Sequence, residues 1–219
     1  MLRPLSAELA EKACLELNED PSRVSDAIQH MKDWLVKQPH LRARTDDQWL
    51  LAFLRGCKFS LERTKEKIDL YYAVRNTAPE FYRIKHTDPR FNEILELGSL
   101  IVLPKLASPV APRVFMIRPG SYDADKYAIA DVISLYVHNK NYDEMYKYIC
   151  KDILPAEYGG EGGTIKEITD YWKKKVEEYS DFLEADYQYG TDETKRLGKP
   201  KTAEDMFGLE GSFRQLQFD

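Results

Sequence analysis

Four apolar stripes at helical spacing fill the first 79 residues, so this stretch can bury its hydrophobic side chains only by packing helix against helix. Leu9, Ala13 and Leu17 form the first stripe, and Val24, Ile28, Met31 and Leu35 form the second. The second follows Asp20-Pro21, a cap with proline at the first helical position. Thr45-Asp46-Asp47-Gln48 has the form of a capping box, in which the Thr hydroxyl and the Gln side chain satisfy orphan backbone donors, and Trp49, Leu50, Phe53 and Leu54 supply the stripe behind it. Gly56 ends that helix. Ser60 can cap a fourth, with Leu61, Thr64, Ile68, Tyr71 and Tyr72 on its buried side, and Pro79 forbids its continuation. Residues 1–79 are therefore expected to form a four-helix lobe.

The pattern then changes. Asp88-Pro89 opens a short helix through Phe91, Ile94 and Leu95 that Gly98 can close, and Leu100 to Leu103 and Arg113 to Ile117 read as strands joined by a proline-rich turn. Tyr127 to Val132 suits a helix and Ile133 to Val137 a third strand; Asn141 can cap a helix carrying Tyr142, Met145 and Ile149. Thr164 and Glu167 form a second capping box before a long helix with Ile165, Ile168, Trp172, Val176, Tyr179 and Leu183 on one face. From Thr191 onward Gly, Lys, Pro and Asp dominate, so a mobile tail is expected, with Phe213, Leu216 and Phe218 able to dock. The predicted fold class is α/β: a helical lobe over 1–79, an α/β domain with a small sheet over 80–190, and an extended tail over 191–219.

Composition narrows the function. A net charge of -5 over 219 residues argues against nucleic-acid binding, which needs a basic face. Cys14, Cys57 and Cys150 are odd in number and far apart, which predicts reduced thiols and a cytoplasmic chain. No signal-peptide core and no apolar run near the ~18 residues of a membrane span is present. No GxSxG elbow occurs, and His30, His40, His86 and His138 are scattered, reading as surface or capping residues; neither catalysis, zinc nor a cofactor is expected. The run Gly159-Gly160-Glu161-Gly162-Gly163 follows a helix and lacks the Lys-Ser/Thr of a phosphate loop, so it reads as a flexible corner. Basic residues gather at Arg55, Lys58, Arg63, Lys65 and Lys67 and again at Lys173 to Lys175, where they can meet anionic lipid or form a solvated face with Glu62, Glu66, Glu177 and Glu178.

Two motifs carry a resemblance. DDQWLLAFLRGCKFSLERTK, Asp46 to Lys65, resembles the last helices of the lobe that precedes a CRAL-TRIO domain, and LPAEYGG, Leu154 to Gly160, resembles that family's closing motif. Between them, Arg113 to Val132 looks like the domain's first long strand and following helix, and VHNKNYDEMYKYICKDILPAEYGG like its last strand and helix. The whole is most similar to the tocopherol-transfer and retinaldehyde-binding branch, in an insect-like form. The resemblance implies non-catalytic binding or transfer of one small hydrophobic lipid, of the tocopherol or retinoid class, with transient contact at a phosphoinositide-containing membrane and peripheral membrane association of a cytoplasmic protein. On that basis Arg55 and Lys58 are headgroup candidates, and Phe115 and Tyr127 are candidates for facing the hydrophobic ligand. Cys57 stands where relatives of the tocopherol branch carry a phosphoinositide-contacting arginine.

The chain departs from the family pattern at about Val132 to Ile133, where pocket helices, central strands and a gate helix are expected and none has a counterpart. It reads as an alternatively spliced or misjoined product of a longer carrier. Arg118 to Val132 is long enough to cross between two parallel strands, so the remnant sheet can close. A pocket of roughly 300 to 1,000 Å³ needs walls on most sides, however, and a small sheet gives few. Lipid binding is expected to be impaired, with faces of Trp49, Phe53, Phe115 and Trp172 left exposed. The alternative is a protein-interaction scaffold without lipid cargo.

Overall fold

The computed structural model describes residues 2–77, 85–118 and 145–202. The chain divides into two compact units. One joins Met1–Arg83 with Ala185–Asp219, and the other is Ile84–Glu184.

The first unit is the helical lobe: α1 (Ala7–Leu17), α2 (Val24–Val36), α3 (Asp47–Gly56) and α4 (Leu61–Thr77). Their stripes meet in a core of Met31, Leu50, Leu54, Ile68 and Tyr72, all without solvent exposure, flanked by Val24, Ile28, Leu35 and Leu51. Trp49 and Phe53 pack beside it with ring centroids 4.5 Å apart, and Tyr71 lies 5.5 Å from Phe53. The expected exposure of Trp49 and Phe53 is thereby corrected: a shell of aromatic rings from α3 and α4 covers their faces.

Two caps differ from the sequence reading. Asp46, and not Thr45, caps α3, its carboxylate accepting from the Trp49 amide at 2.9 Å. The cap shifts by one residue: the Asp46 carboxylate serves the Trp49 amide, where a Thr45 cap would have served that of Gln48. Asp20 accepts from the Ser22 amide and hydroxyl, closing a turn upstream of α2, while Arg23 occupies the cap position with no side-chain bond.

The chain from Ala185 onward returns to this lobe, unlike the mobile tail expected from 191. β1 (Leu41–Arg42) pairs antiparallel with β4 (Gly190–Thr191), and Tyr189 packs on the helical core. Carboxylates bind the two stretches together. Asp69 of α4 accepts from both terminal nitrogens of Arg196 at 2.8 and 2.9 Å, from Lys201 at 2.7 Å, and shares a 3.0 Å hydrogen bond with Nε2 of His40. Arg196 also donates to Glu193, and Asp186 receives Arg44 at 2.8 Å and Arg75 at 2.6 Å. His40 is thus buried and hydrogen-bonded to Asp69, where spacing alone suggested a surface or capping position. Charge patterns in residues 186–201 look like a solvated tail in one dimension because their partners lie more than a hundred residues away. Residues 203–219, including Phe213, Leu216 and Phe218, lie outside the described residues.

The second unit opens with α5 (Pro89–Leu97), capped by Asp88 with Pro89 at the first helical position and closed by Gly98 in the left-handed region. β2 (Leu100–Val102) and β3 (Phe115–Ile117) pair antiparallel with Ile101 opposite Met116. α6 (Ile165–Glu178) begins at the Thr164 and Glu167 capping box. The long helix foreseen to Leu183 breaks at Tyr179, and α7 (Ser180–Asp186) carries the chain back toward the lobe. Trp172 of α6 donates its indole N–H to the Val102 carbonyl at 2.7 Å, so its face is covered rather than exposed. The expected third strand Ile133 to Val137 and the helix over 127–132 lie outside the described residues; of the helix expected from Asn141, residues 145–149 are described and form a single turn, the Ile149 amide donating to the Met145 carbonyl at 3.0 Å, in place of a continued helix. The α/β class holds, as helices with, among the described residues, two small antiparallel sheets.

Burial alone would raise the Asp69 carboxyl, yet the donors from Arg196, Lys201 and His40 outweigh it and hold it at about 2. A depressed carboxyl adds stability that is complete above the ordinary value near 4 and is lost as pH falls toward 2. Asp69→Asn is expected to cost about 2 to 4 kcal/mol at pH 7, read from the urea midpoint, with faster amide exchange over 190–202 than in α3. Unchanged exchange in 190–202 would show that these ion pairs do not hold the segment.

Candidate functional site

Lipid chemistry needs apolar surface and, at a membrane, cations free to meet headgroups. The helical corner offers less of the second than its sequence promised. Arg55, in the last turn of α3, makes a paired contact with Glu19, both bonds at 2.7 Å, and both side chains are largely buried. That hydrogen bonding raises the guanidinium pKa further and commits it to a protein carboxylate. Lys58 is exposed and sits with Phe59 in left-handed backbone conformation, φ +52° and +56°, where the chain turns from α3 into α4. The 2.8 Å bond from the Phe59 amide to the Leu54 carbonyl closes the turn and places the Phe59 ring against the core. The corner brings Arg55 and Lys58 near in sequence, but only Lys58 projects freely.

The apolar surface lies in the second unit, on its hairpin. Residues paired across an antiparallel ladder share a face, so Ile101 and Met116 lie on one side and Leu100, Val102, Phe115 and Ile117 on the other. The first side joins Leu103, Ile153, Leu154, Ile165 and Ile168 in the unit's core. The second side is open: Leu100 is 58% and Phe115 62% exposed. Phe115 therefore stands on an uncovered face and not inside a walled pocket. Tyr127, its expected companion, lies outside the described residues. A cleft of about 590 Å³ in this unit is lined by Arg118, Lys166 and Lys173 together with Glu96, Glu157 and Asp170. Such a mixed-charge wall suits water better than an alkyl chain.

The closing motif proves to be a structural corner. Leu154 and Pro155 are fully buried, and both Glu157 carboxylate oxygens accept from the Ile165 amide, at 2.9 and 3.0 Å, at the start of α6. Arg118 ties β3 to the same corner through the Tyr158 hydroxyl at 3.0 Å and the Gly98 carbonyl at 3.2 Å. A methyl at Gly160 would stand 2.2 Å from the Leu154 carbonyl oxygen, and one at Gly162 2.4 Å from that of Ile153. The glycines permit close backbone approach, so the corner is tight where a flexible one was expected, and two protein carboxylates already occupy the helix N-terminus that a phosphate would need. Sequence spacing did not identify Glu157 or Arg118; the signal available was an acidic residue a few positions before a capping box. Among the described residues no group of His, Cys, Asp and Glu is placed to hold a metal ion, and no helix is long and apolar enough to cross a membrane.

Gly160→Ala is expected to destabilise the protein by about 3 kcal/mol, because backbone must shift, whereas Glu157→Gln should cost only about 1 kcal/mol. Thermal unfolding followed by near-ultraviolet circular dichroism checks the order; equal losses would contradict the close-approach reading.

A family model described as "Pinta-like, UBA domain" matches residues 20–93, about a third of the chain. Clavesin-2 of Homo sapiens is 30% identical over 131 residues, covering 59% of this chain and 40% of the relative. Alpha-tocopherol transfer protein-like of Homo sapiens is 33% identical over 131 residues, covering 59% and 37%, and Clavesin-1 of Xenopus laevis is 27% identical, covering 59% and 39%. The chain spans about two fifths of the length of the curated relatives it matches. Over those 131 residues the chain is thus similar to proteins of the CRAL-TRIO family, to which the Clavesins and alpha-tocopherol transfer protein-like belong.

Proposed function

We propose that this protein captures and releases a small hydrophobic lipid, of the tocopherol or retinoid class, without catalysing a reaction. The observation that carries the reading is the open apolar face of the hairpin, Leu100, Val102, Phe115 and Ile117, in a chain related to a protein named for tocopherol transfer. Each buried methylene of a ligand contributes roughly 0.8 kcal/mol, so a face that covers one side of a chain retains it far less well than an enclosing pocket. Binding in this form is accordingly weak, consistent with a shortened product of a longer carrier. The protein is placed in the cytoplasm, with transient contact at phosphoinositide-containing membranes through Lys58. A second reading, an interaction module without cargo, draws on the helical lobe, whose complete core and separate family match allow it to stand as a unit.

Retinaldehyde or a labelled tocopherol is expected to quench Trp172 fluorescence saturably, with half-saturation in the micromolar range, about −8 kcal/mol. Phe115→Asp should raise the half-saturation point at least tenfold. A flat titration with protein that is folded by circular dichroism rejects the carrier reading, and a stable complex recovered by size exclusion from cell extract would then favour the module.

A further inference from the structure

The hairpin carries a second feature, in its charge. Acidic residues number 37 in 219, about one in six, yet none occurs between Glu96 and Asp123, where Lys105, Arg113 and Arg118 are the only charged residues. This stretch holds the hairpin. Within an acidic chain it is a local island that is apolar and cationic together.

The geometry arranges that island as an amphipathic wedge. The β2–β3 ladder extends through the Leu103 amide to the Val114 carbonyl at 3.0 Å, and through the Arg118 amide to the Ser99 carbonyl at 2.7 Å. Beyond it, Lys105, Leu106, Ala107, Ser108 and Pro109 form a continuous exposed tip, with Leu106 37% exposed. The Ala111 amide closes the turn on the Ser108 carbonyl, and Arg113 braces its base by donating to the Leu103 and Pro104 carbonyls at 3.2 and 3.0 Å. Arg113 donates to these carbonyls through one terminal nitrogen, and among the described residues neither its guanidinium nor the Lys105 ammonium has a carboxylate partner. Two uncompensated cations thus stand at the rim of an apolar edge formed by Leu106, Phe115 and Leu100.

We infer that the hairpin from Leu100 to Ile117 docks on an anionic lipid surface, with Leu106 and Phe115 entering the interface and Lys105 and Arg113 meeting the headgroups. An apolar face alone would suit a protein partner equally well. Charge decides for the membrane: in a symmetric dimer the same patch meets itself and sets Lys105 and Arg113 against their own like charges, whereas an anionic leaflet complements both directly. The inference adds a docking element to the carrier reading and does not depend on the headgroup residue Lys58, since it requires net negative lipid and no particular phosphoinositide.

The test is flotation of the full chain with phosphatidylcholine vesicles, with and without about 30% phosphatidylserine. Binding is expected to the anionic vesicles only, and to fall as salt rises. Lys105→Glu should weaken it at least fivefold, the loss of one cation being worth about that factor near an anionic leaflet. Leu106→Asp and Phe115→Asp should each weaken it about tenfold or more. Leu106 lies in an exposed turn outside the core, so Leu106→Asp keeps the test valid if Phe115→Asp misfolds. Failure of the folded protein to float, equal binding to neutral vesicles, or binding untouched by Leu106→Asp and Lys105→Glu each overturns the proposal. So does a dimer by size exclusion that Phe115→Asp dissolves in protein that does not float, an outcome that assigns the face to a second copy. Fluorescence titration of cargo without vesicles keeps the two readings apart: Leu106→Asp that quenches normally yet no longer floats separates docking from capture.

Discussion

A β-sheet has two faces, and the segments Leu100–Val102 and Phe115–Ile117 make both of them apolar while α6 covers only one. Strands that are hydrophobic without alternation belong to sheets covered on both sides, as in helix-wrapped α/β domains. Here Ile101 and Met116 find that cover in Ile165, Ile168 and Trp172, and among the described residues their opposite neighbours Leu100 and Phe115 do not. The hydrophobic effect acts on the uncovered side as strongly as on the covered one, so that face must be satisfied by something, whether ligand or surface. The proposed functions are two answers to this one unsatisfied requirement.

The helical unit closes its own requirements by different means. The charged residues 186–201 are bound to its core by carboxylates that each collect two cations, Asp69 from Arg196 and Lys201 and Asp186 from Arg44 and Arg75, with His40 adding a hydrogen bond to Asp69. These partly buried charges are tolerated because they are paired, the form in which desolvation of a guanidinium or carboxylate is repaid. The consequence is local order in a stretch whose composition resembles a tail. It also explains why cations that look available in sequence, Arg55 above all, are engaged with protein carboxylates.

The motifs that reveal ancestry turn out to build corners. In LLAFLRG, Leu50, Leu51 and Leu54 are core and Arg55 clamps Glu19; in LPAEYGG, Leu154 is core, Glu157 caps α6, and the glycines allow the backbone to approach Leu154 within van der Waals limits. Such positions serve the fold itself, through core packing, a cap and close backbone approach. They identify the architecture, while function has to be argued from the faces that architecture presents.

The sequence by itself determined the four helices of the lobe and their stripes, the Asp88-Pro89 start, the Thr164–Glu167 capping box and the strands of the hairpin, since each depends on residues within a few positions of one another. It also determined which faces would be greasy, because alternation along a strand is a local property. Tertiary structure alone decided which greasy face is covered, that His40 and Arg55 are taken by Asp69 and Glu19, and that residues 190–202 return to the lobe. Those outcomes join residues separated by 29 to 150 positions, and no local pattern encodes which distant carboxylate a cation will reach. The Cβ clash at Gly160 was hidden for the same reason: a glycine before a turn reads as freedom until the backbone packed against it is known.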